Sequence, residues 1–137
     1  MATYVIDACA MIAVLSNEPG ADVVEKIYEK ADSGDVELAM NKINLLEVYY
    51  DLIRAYGKDR ANGILDEIRR LPIRIYHEIT DDVFAEAGRL KTSYRISLAD
   101  SIALAQSIVL GGELLTADHH EFDLIDGREP VRFKWIR

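Results

Sequence analysis

Four of the 24 acidic residues in this 137-residue chain stand apart from the others. They are Asp7 in YVIDACAMIAVL, Glu47 in NLLEVYY, Asp100 in SLADSIALA and Asp118 in LLTADHHEFD. Most other acids sit among other charges on helical faces. These four are flanked by apolar residues, where an ionised carboxylate is costly unless it is paired, hydrogen-bonded or metal-bound. Brought to one place, they would repel one another strongly without a neutralising partner. The fitting partner is a hard divalent cation, Mg²⁺ or Mn²⁺, which prefers oxygen ligands. No cysteine–histidine spacing suits zinc, and His119 and His120 read as loop residues beside Asp118. A carboxylate nest with such an ion serves in-line attack of water on a phosphodiester. A helix-capping reading stays open beside this one. Asp7 fits an N-cap, and Asn44-x-x-Glu47 and Ser97-x-x-Asp100 both fit capping boxes.

The elements that must position these acids are short strands alternating with helices. Strands are expected at Thr3–Ile6, Val36–Met40, Ile73–Tyr76, Glu113–Thr116 and Arg132–Ile136, from their β-branched and apolar content. Helices are expected at Ala8–Leu15, Ala21–Ala31, Ile43–Tyr56 and Lys58–Leu71, then from Asp81 to about Tyr94 and from Ser97 to the Gly111-Gly112 break. From Ser101 to Gly112 no side chain is charged, so that last helix is expected in the core. The order β-α-α-β-α-α-β-α-α-β-β predicts an α/β fold with a parallel sheet and helices on both faces. In such sheets a site lies at the crevice outside the strand ends, and each of the four acids falls near a strand end or a helix start.

Composition bounds the function. One domain spanning 1–137 is expected from the length. Half of the residues are hydrophobic and 29% are charged, as in a soluble globular protein, and no apolar run is long enough to span a membrane. The N-terminus lacks the features of a signal peptide. A single cysteine, Cys9, excludes an internal disulfide framework and points to a reducing cytoplasm; it reads as a small core residue. The net charge of −8 argues alone against a nucleic-acid binder, yet Arg128, Arg132, Lys134 and Arg137 make the tail basic. No Gly-rich phosphate loop and no serine nucleophile elbow is present.

The four motifs, in this order and spacing, resemble those of PIN-domain ribonucleases, and the whole chain is similar in length and layout to the VapC toxin of VapBC toxin–antitoxin modules. The resemblance implies a PIN-like three-layer α/β/α fold with a five-stranded parallel sheet in the order 3-2-1-4-5. It implies an endoribonuclease dependent on Mg²⁺ or Mn²⁺, with Asp7, Glu47, Asp100 and Asp118 as the catalytic metal site. Glu121 or Asp123 would add a carboxylate, and Thr116 matches a hydroxyl position near the site. The resemblance also implies an RNA substrate, a cognate antitoxin whose basic segment reaches the acidic pocket, and a homodimer. Arg89, Lys91 and Arg95, with the basic tail, are the candidate RNA contacts. The chain departs from the family in carrying Ala8 and Cys9 where a hydroxyl residue usually follows the first aspartate. Other readings stay open: a PIN nuclease of RNA processing without a toxin role, or a catalytically weak module that binds RNA or a partner. A phospho-acceptor signalling domain would need paired acids after the first strand, where this chain offers only Asp7.

Overall fold

A computed structural model describes residues 1–137. Its centre is β1 (Ala2–Ile6), whose alternating side chains serve two cores. Val5 and Ile6 are both fully buried, one on each face. On the Ile6 side lie α1 (Ala8–Leu15), α2 (Ala21–Asp32), the inner face of α3 (Lys42–Tyr56) and α4 (Lys58–Arg69). On the Val5 side lie α5 (Asp81–Ser93) and α6 (Leu98–Leu110). The remaining strands are β2 (Val36–Asn41), β3 (Arg74–Tyr76), β4 (Glu113–Thr116) and β5 (Arg132–Trp135). All neighbouring pairs are parallel, in the order β3-β2-β1-β4-β5, so the sheet and the three layers are those that the motifs imply. No helix is long and apolar enough to cross a membrane.

The register decides where the chemistry falls. Val5 pairs with Ala39 and Ile6 with Leu115, so β1, β2 and β4 end together. The Asp7 N–H still donates to the Leu115 carbonyl at 3.2 Å, and the Ile136 N–H donates to Thr116. Asp7, Asn41 and Thr116 therefore stand along one edge. The helix that leads into β4, α6, is buried along Ser101–Ser107, as its uncharged sequence requires. It stops at Gly111, which adopts φ +66°. Gly112 is needed for a second reason: a Cβ there would lie 2.8 Å from the Thr3 carbonyl oxygen of β1.

Two local expectations change. The segment after β4 is not a loop throughout: His119–Phe122 forms the one-turn helix α7, because Asp118 caps it and Phe122 is drawn into the core. The helix carrying Glu47 begins at Lys42, one residue early, with Asn41 as its cap: the Asn41 side chain accepts from the Ile43 N–H at 3.0 Å. Asn44 is thus inside the helix and makes no capping box with Glu47.

Candidate active site

Asp7 leaves the end of β1 and caps α1. Its Oδ1 accepts from the Ala10 N–H at 2.8 Å, so the capping reading holds for one oxygen. The other, Oδ2, is buried with no hydrogen-bond partner, and the residue is only 2% exposed. Burial pushes this carboxyl up to about 7; Asp100 and Asp118 add to the rise, while Thr116 and the Ala10 N–H oppose it. A cap needs one acceptor and a tolerable setting. Here the second acceptor is shut away from water beside other acids, which capping does not explain.

Asp100 lies in the first turn of α6. Ser97 caps that helix, its hydroxyl oxygen accepting from the Asp100 N–H at 3.1 Å. The backbone of Asp100 is thereby held while its half-buried carboxyl faces like charge. Burial raises it to about 6, with contributions from Asp118, Glu121 and Glu47, against the Ser97 side chain. Glu47, one turn into α3, is also raised, first by burial and then by Asp51 and Asp118. Asp118 follows β4. Its N–H donates to Thr116 Oγ1 at 3.0 Å, and its Oδ1 accepts from the Glu121 N–H at 3.2 Å. Thr116 is fully buried, so its hydroxyl both anchors Asp118 and tempers Asp7.

The four isolated acids thus influence one another from two strand ends and two helices, and Glu121 joins them through Asp100. Asp123 does not: its carboxylate meets His119 Nδ1 at 2.7 Å. The His119 ring stacks on Trp135 with centroids 3.9 Å apart, and its Nε2 lies 2.9 Å from the Arg137 carbonyl. None of the ion pairs in the structure reaches Asp7, Glu47, Asp100 or Asp118. A cleft of about 330 Å³ opens beside them, lined by Ala8, Cys9, Ile12, Glu18, Glu47 and Asp51.

Carboxylate oxygens and one hydroxyl form a hard donor set, which suits Mg²⁺ or Mn²⁺ and not zinc. The unpartnered Asp7 Oδ2 and the mutual repulsion fit the same ion. The side chains stand apart in this arrangement, however, and no three of them meet as a coordination group.

The candidate RNA contacts divide. Arg89 spends its guanidinium on Glu129, at 2.6 and 3.2 Å, and on Glu86. Lys91 donates to the Ile96 carbonyl at 2.7 Å. Arg95 is exposed and makes no ion pair. In the tail, Arg137 reaches back to Glu18 and the Pro19 carbonyl.

Sequence reasoning missed the buried amides that join the site helices. Asn41 Nδ2 donates to Gln106 Oε1 at 2.9 Å, and Asn44 Nδ2 donates to the Ala99 carbonyl at 2.9 Å. The available signal was the burial of Asn44 itself: it sits on the same helical stripe as Val48 and Leu52, where an uncompensated amide is costly.

A family model described as PIN domain matches residues 4–127. No curated protein matches the sequence. Among solved structures, the chain is similar to a toxin–antitoxin complex from Klebsiella pneumoniae, with 21% identity and a TM-score of 0.67 over 95% of this chain and 99% of that one. It is similar to VapBC2 from Rickettsia felis, bound to a DNA fragment from its promoter, with 18% identity and a TM-score of 0.74 over 96% and 97% of the two chains. It is also similar to VapC20 of Mycobacterium tuberculosis, a toxin that cleaves the sarcin–ricin loop, with 18% identity and a TM-score of 0.67 over 94% and 98%.

Proposed function

The chain belongs to the PIN-domain family, and from that premise we propose that it is a metal-dependent endoribonuclease acting as the toxin of a toxin–antitoxin pair. One observation carries the reading most. Asp7 holds an unpartnered oxygen out of water, at a strand end, with Asp100 and Asp118 as its charged neighbours and no cation near. A purely structural carboxylate in that setting would be a net cost.

Asp7, Glu47, Asp100 and Asp118 would hold Mg²⁺ or Mn²⁺, with Glu121 as an accessory carboxylate. When bound, such an ion lowers the pKa of water and neutralises charge on a phosphodiester under attack. The chain's own residues prepare the place. The Ala10 N–H fixes one oxygen of Asp7, leaving the other free to ligate. Thr116 fixes the backbone of Asp118, and Ser97 fixes that of Asp100. The half-buried setting keeps bulk water from screening the carboxylates, which strengthens their hold on a cation. Arg95, exposed and in no ion pair, is the candidate whose side chain is free to meet RNA phosphates; Lys91 donates to the Ile96 carbonyl.

The antitoxin partner is supported by the complexes named for the similar structures and by the net charge of −8, which suits a basic inhibitory segment. RNA as substrate is supported by the similarity to VapC20, a toxin that cleaves the sarcin–ricin loop. A homodimer follows from the family resemblance and is read by light scattering. The test of the whole reading is cleavage of labelled single-stranded RNA by purified protein in Mg²⁺, Mn²⁺ or EDTA, with Asp7→Asn and Asp100→Asn alongside. Metal-dependent cutting that is lost in both variants supports the proposal. Cutting that persists in the variants, or in EDTA, sinks it.

A further inference from the structure

Asn44 lies in the first turn of α3, three residues after the Asn41 cap, and its side chain turns away from its own helix's backbone toward α6. It is 1% exposed, among Leu45, Val48 and Leu52, and its Oδ1 has no hydrogen-bond partner. An apolar side chain would fill that space without leaving a buried acceptor unpaired. What the amide does supply is one bond, from Nδ2 to the Ala99 carbonyl across the α3–α6 seam.

The two ends of that bond adjoin two arms of the acidic cluster. Glu47 follows Asn44 by three residues, on the neighbouring position of the same helical face. Asp100 is the residue after Ala99. Glu47 is one of the like charges that raise Asp100, so holding the two arms close costs energy when no cation lies between them. Ala99 can accept the bond because a carbonyl has two lone pairs, only one of which the helix uses.

We propose that Asn44 is a positioning residue that fixes the separation of the Glu47 and Asp100 arms, tying α3 to the first turn of α6 against the repulsion of the two carboxylates. The inference rests on the nuclease reading for its purpose, but not for its geometry. The Asn41–Gln106 bond docks the same corner further along α6. Loss of Asn44 therefore leaves the helices packed and loosens only their acidic ends.

A tie of this kind makes the charges interact more strongly than they would if free to part. Neutralising Glu47 then relieves more strain when the tie is present. The experiment is a double-mutant cycle on the full-length, metal-free protein at pH 7.5, read by thermal denaturation. Glu47→Gln is expected to raise Tm by roughly 2–4 °C with Asn44 in place, mostly from the burial of Glu47 itself, and by measurably less in Asn44→Ala. If Asn44 only fills space, the two rises are equal, and equality overturns the inference. Asn44→Ser, polar but too short to span the seam, takes the place of Asn44→Ala if the latter does not fold.

Calorimetry with Mn²⁺ alone gives the second readout. Asn44→Ala is expected to weaken Mn²⁺ binding about tenfold, the scale of an outer-shell partner. Asn41→Ala, which lowers stability by removing a cap and the other tie, is expected to stay within about twofold of wild type. Unchanged Mn²⁺ affinity in a folded Asn44→Ala, where the wild type does bind, overturns the inference. Absence of Mn²⁺ binding by the wild type counts against the nuclease reading instead, and the thermal cycle then decides the tie by itself.

Discussion

Two poorly exposed carboxylates in this molecule are shifted in opposite directions. Glu129, whose side chain is 9% exposed, accepts from Arg89 on both oxygens and from the Tyr94 hydroxyl at 2.8 Å. The Arg89 hydrogen bonds hold it below the usual carboxylate range. It pins the segment before β5 onto α5. Asp7 has one backbone donor and no cation; burial first, and then its like-charged neighbours, push it up to about 7 against the Thr116 hydroxyl and the Ala10 N–H. Burial alone does not separate a structural acid from a functional one. The partner distinguishes the two: the fold supplies Glu129 with a guanidinium and gives Asp7 no cation.

The sharpest way to break that contrast is to remove the Asp7 charge. Asp7→Asn is expected to lose at least about a hundredfold in RNA cleavage, since even an outer-shell partner of a metal costs 10–100-fold. In the same metal-free protein it is expected to gain stability. The folded pKa of Asp7 lies above the unfolded value of 3.8, so the native state holds the proton longer. Stability then falls as pH rises from about 4 to about 7 and is level beyond that. The full span is up to about 4 kcal/mol, at 1.36 kcal/mol for each pH unit between the two values. Urea unfolding at pH 4.5 and pH 8 should show that loss in the wild type and a smaller one in Asp7→Asn, where Asp100 and Glu47 still contribute. A wild type that is more stable at pH 8 than at pH 4.5 would contradict the assignment.

Adding Mn²⁺ should reverse the cost. At a hundred times its Kd the ion stabilises by about 2.7 kcal/mol, raising Tm in the wild type, with EDTA restoring the lower value. Asp7→Asn and Asp100→Asn should show no such rise. Glu129→Gln is the converse test. Its stabilisation is present at neutral pH and lost as pH falls through its lowered value, so the variant should be less stable by about 1 kcal/mol at pH 7, on the scale of a partly exposed ion pair. Cleavage per folded molecule should be unchanged. The smallest effect is expected at Cys9. Burial first, then Asp7, pushes its thiol up to about 11, so the thiolate fraction at pH 7.5 is about a hundredfold below that of a thiol at 9.0. Alkylation by iodoacetamide should be correspondingly slow. Rapid labelling would mean that Cys9 is less shielded from water than described.

Much of this was legible in the chain itself. The uncharged run after Ser101 marked α6 as a core helix, and Ser101–Ser107 are buried. The alternation of short strands with helices predicted the parallel sheet, and Asp7, Glu47, Asp100 and Asp118 could be picked out because each lacked a charged neighbour. Local pattern determines such features, since hydrophobic periodicity and the cost of an isolated charge are properties of neighbours in sequence. The same locality misled at Asn44, where Asn-x-x-Glu resembles a cap although the helix starts at Lys42. It also left the turn of α7 unread, because a four-residue helix held by one cap and by Phe122 depends on the core beneath it.

Only the tertiary structure decided which of the possible partners each polar group took. Asn41 meets Gln106 65 positions away, Arg89 meets Glu129 40 positions away, and Asp123 turns to His119. It also decided that one Asp7 oxygen is capped and the other left without a partner. Burial and long-range pairing depend on which surfaces the sheet order brings together, and a list of neighbours along the chain does not contain that information.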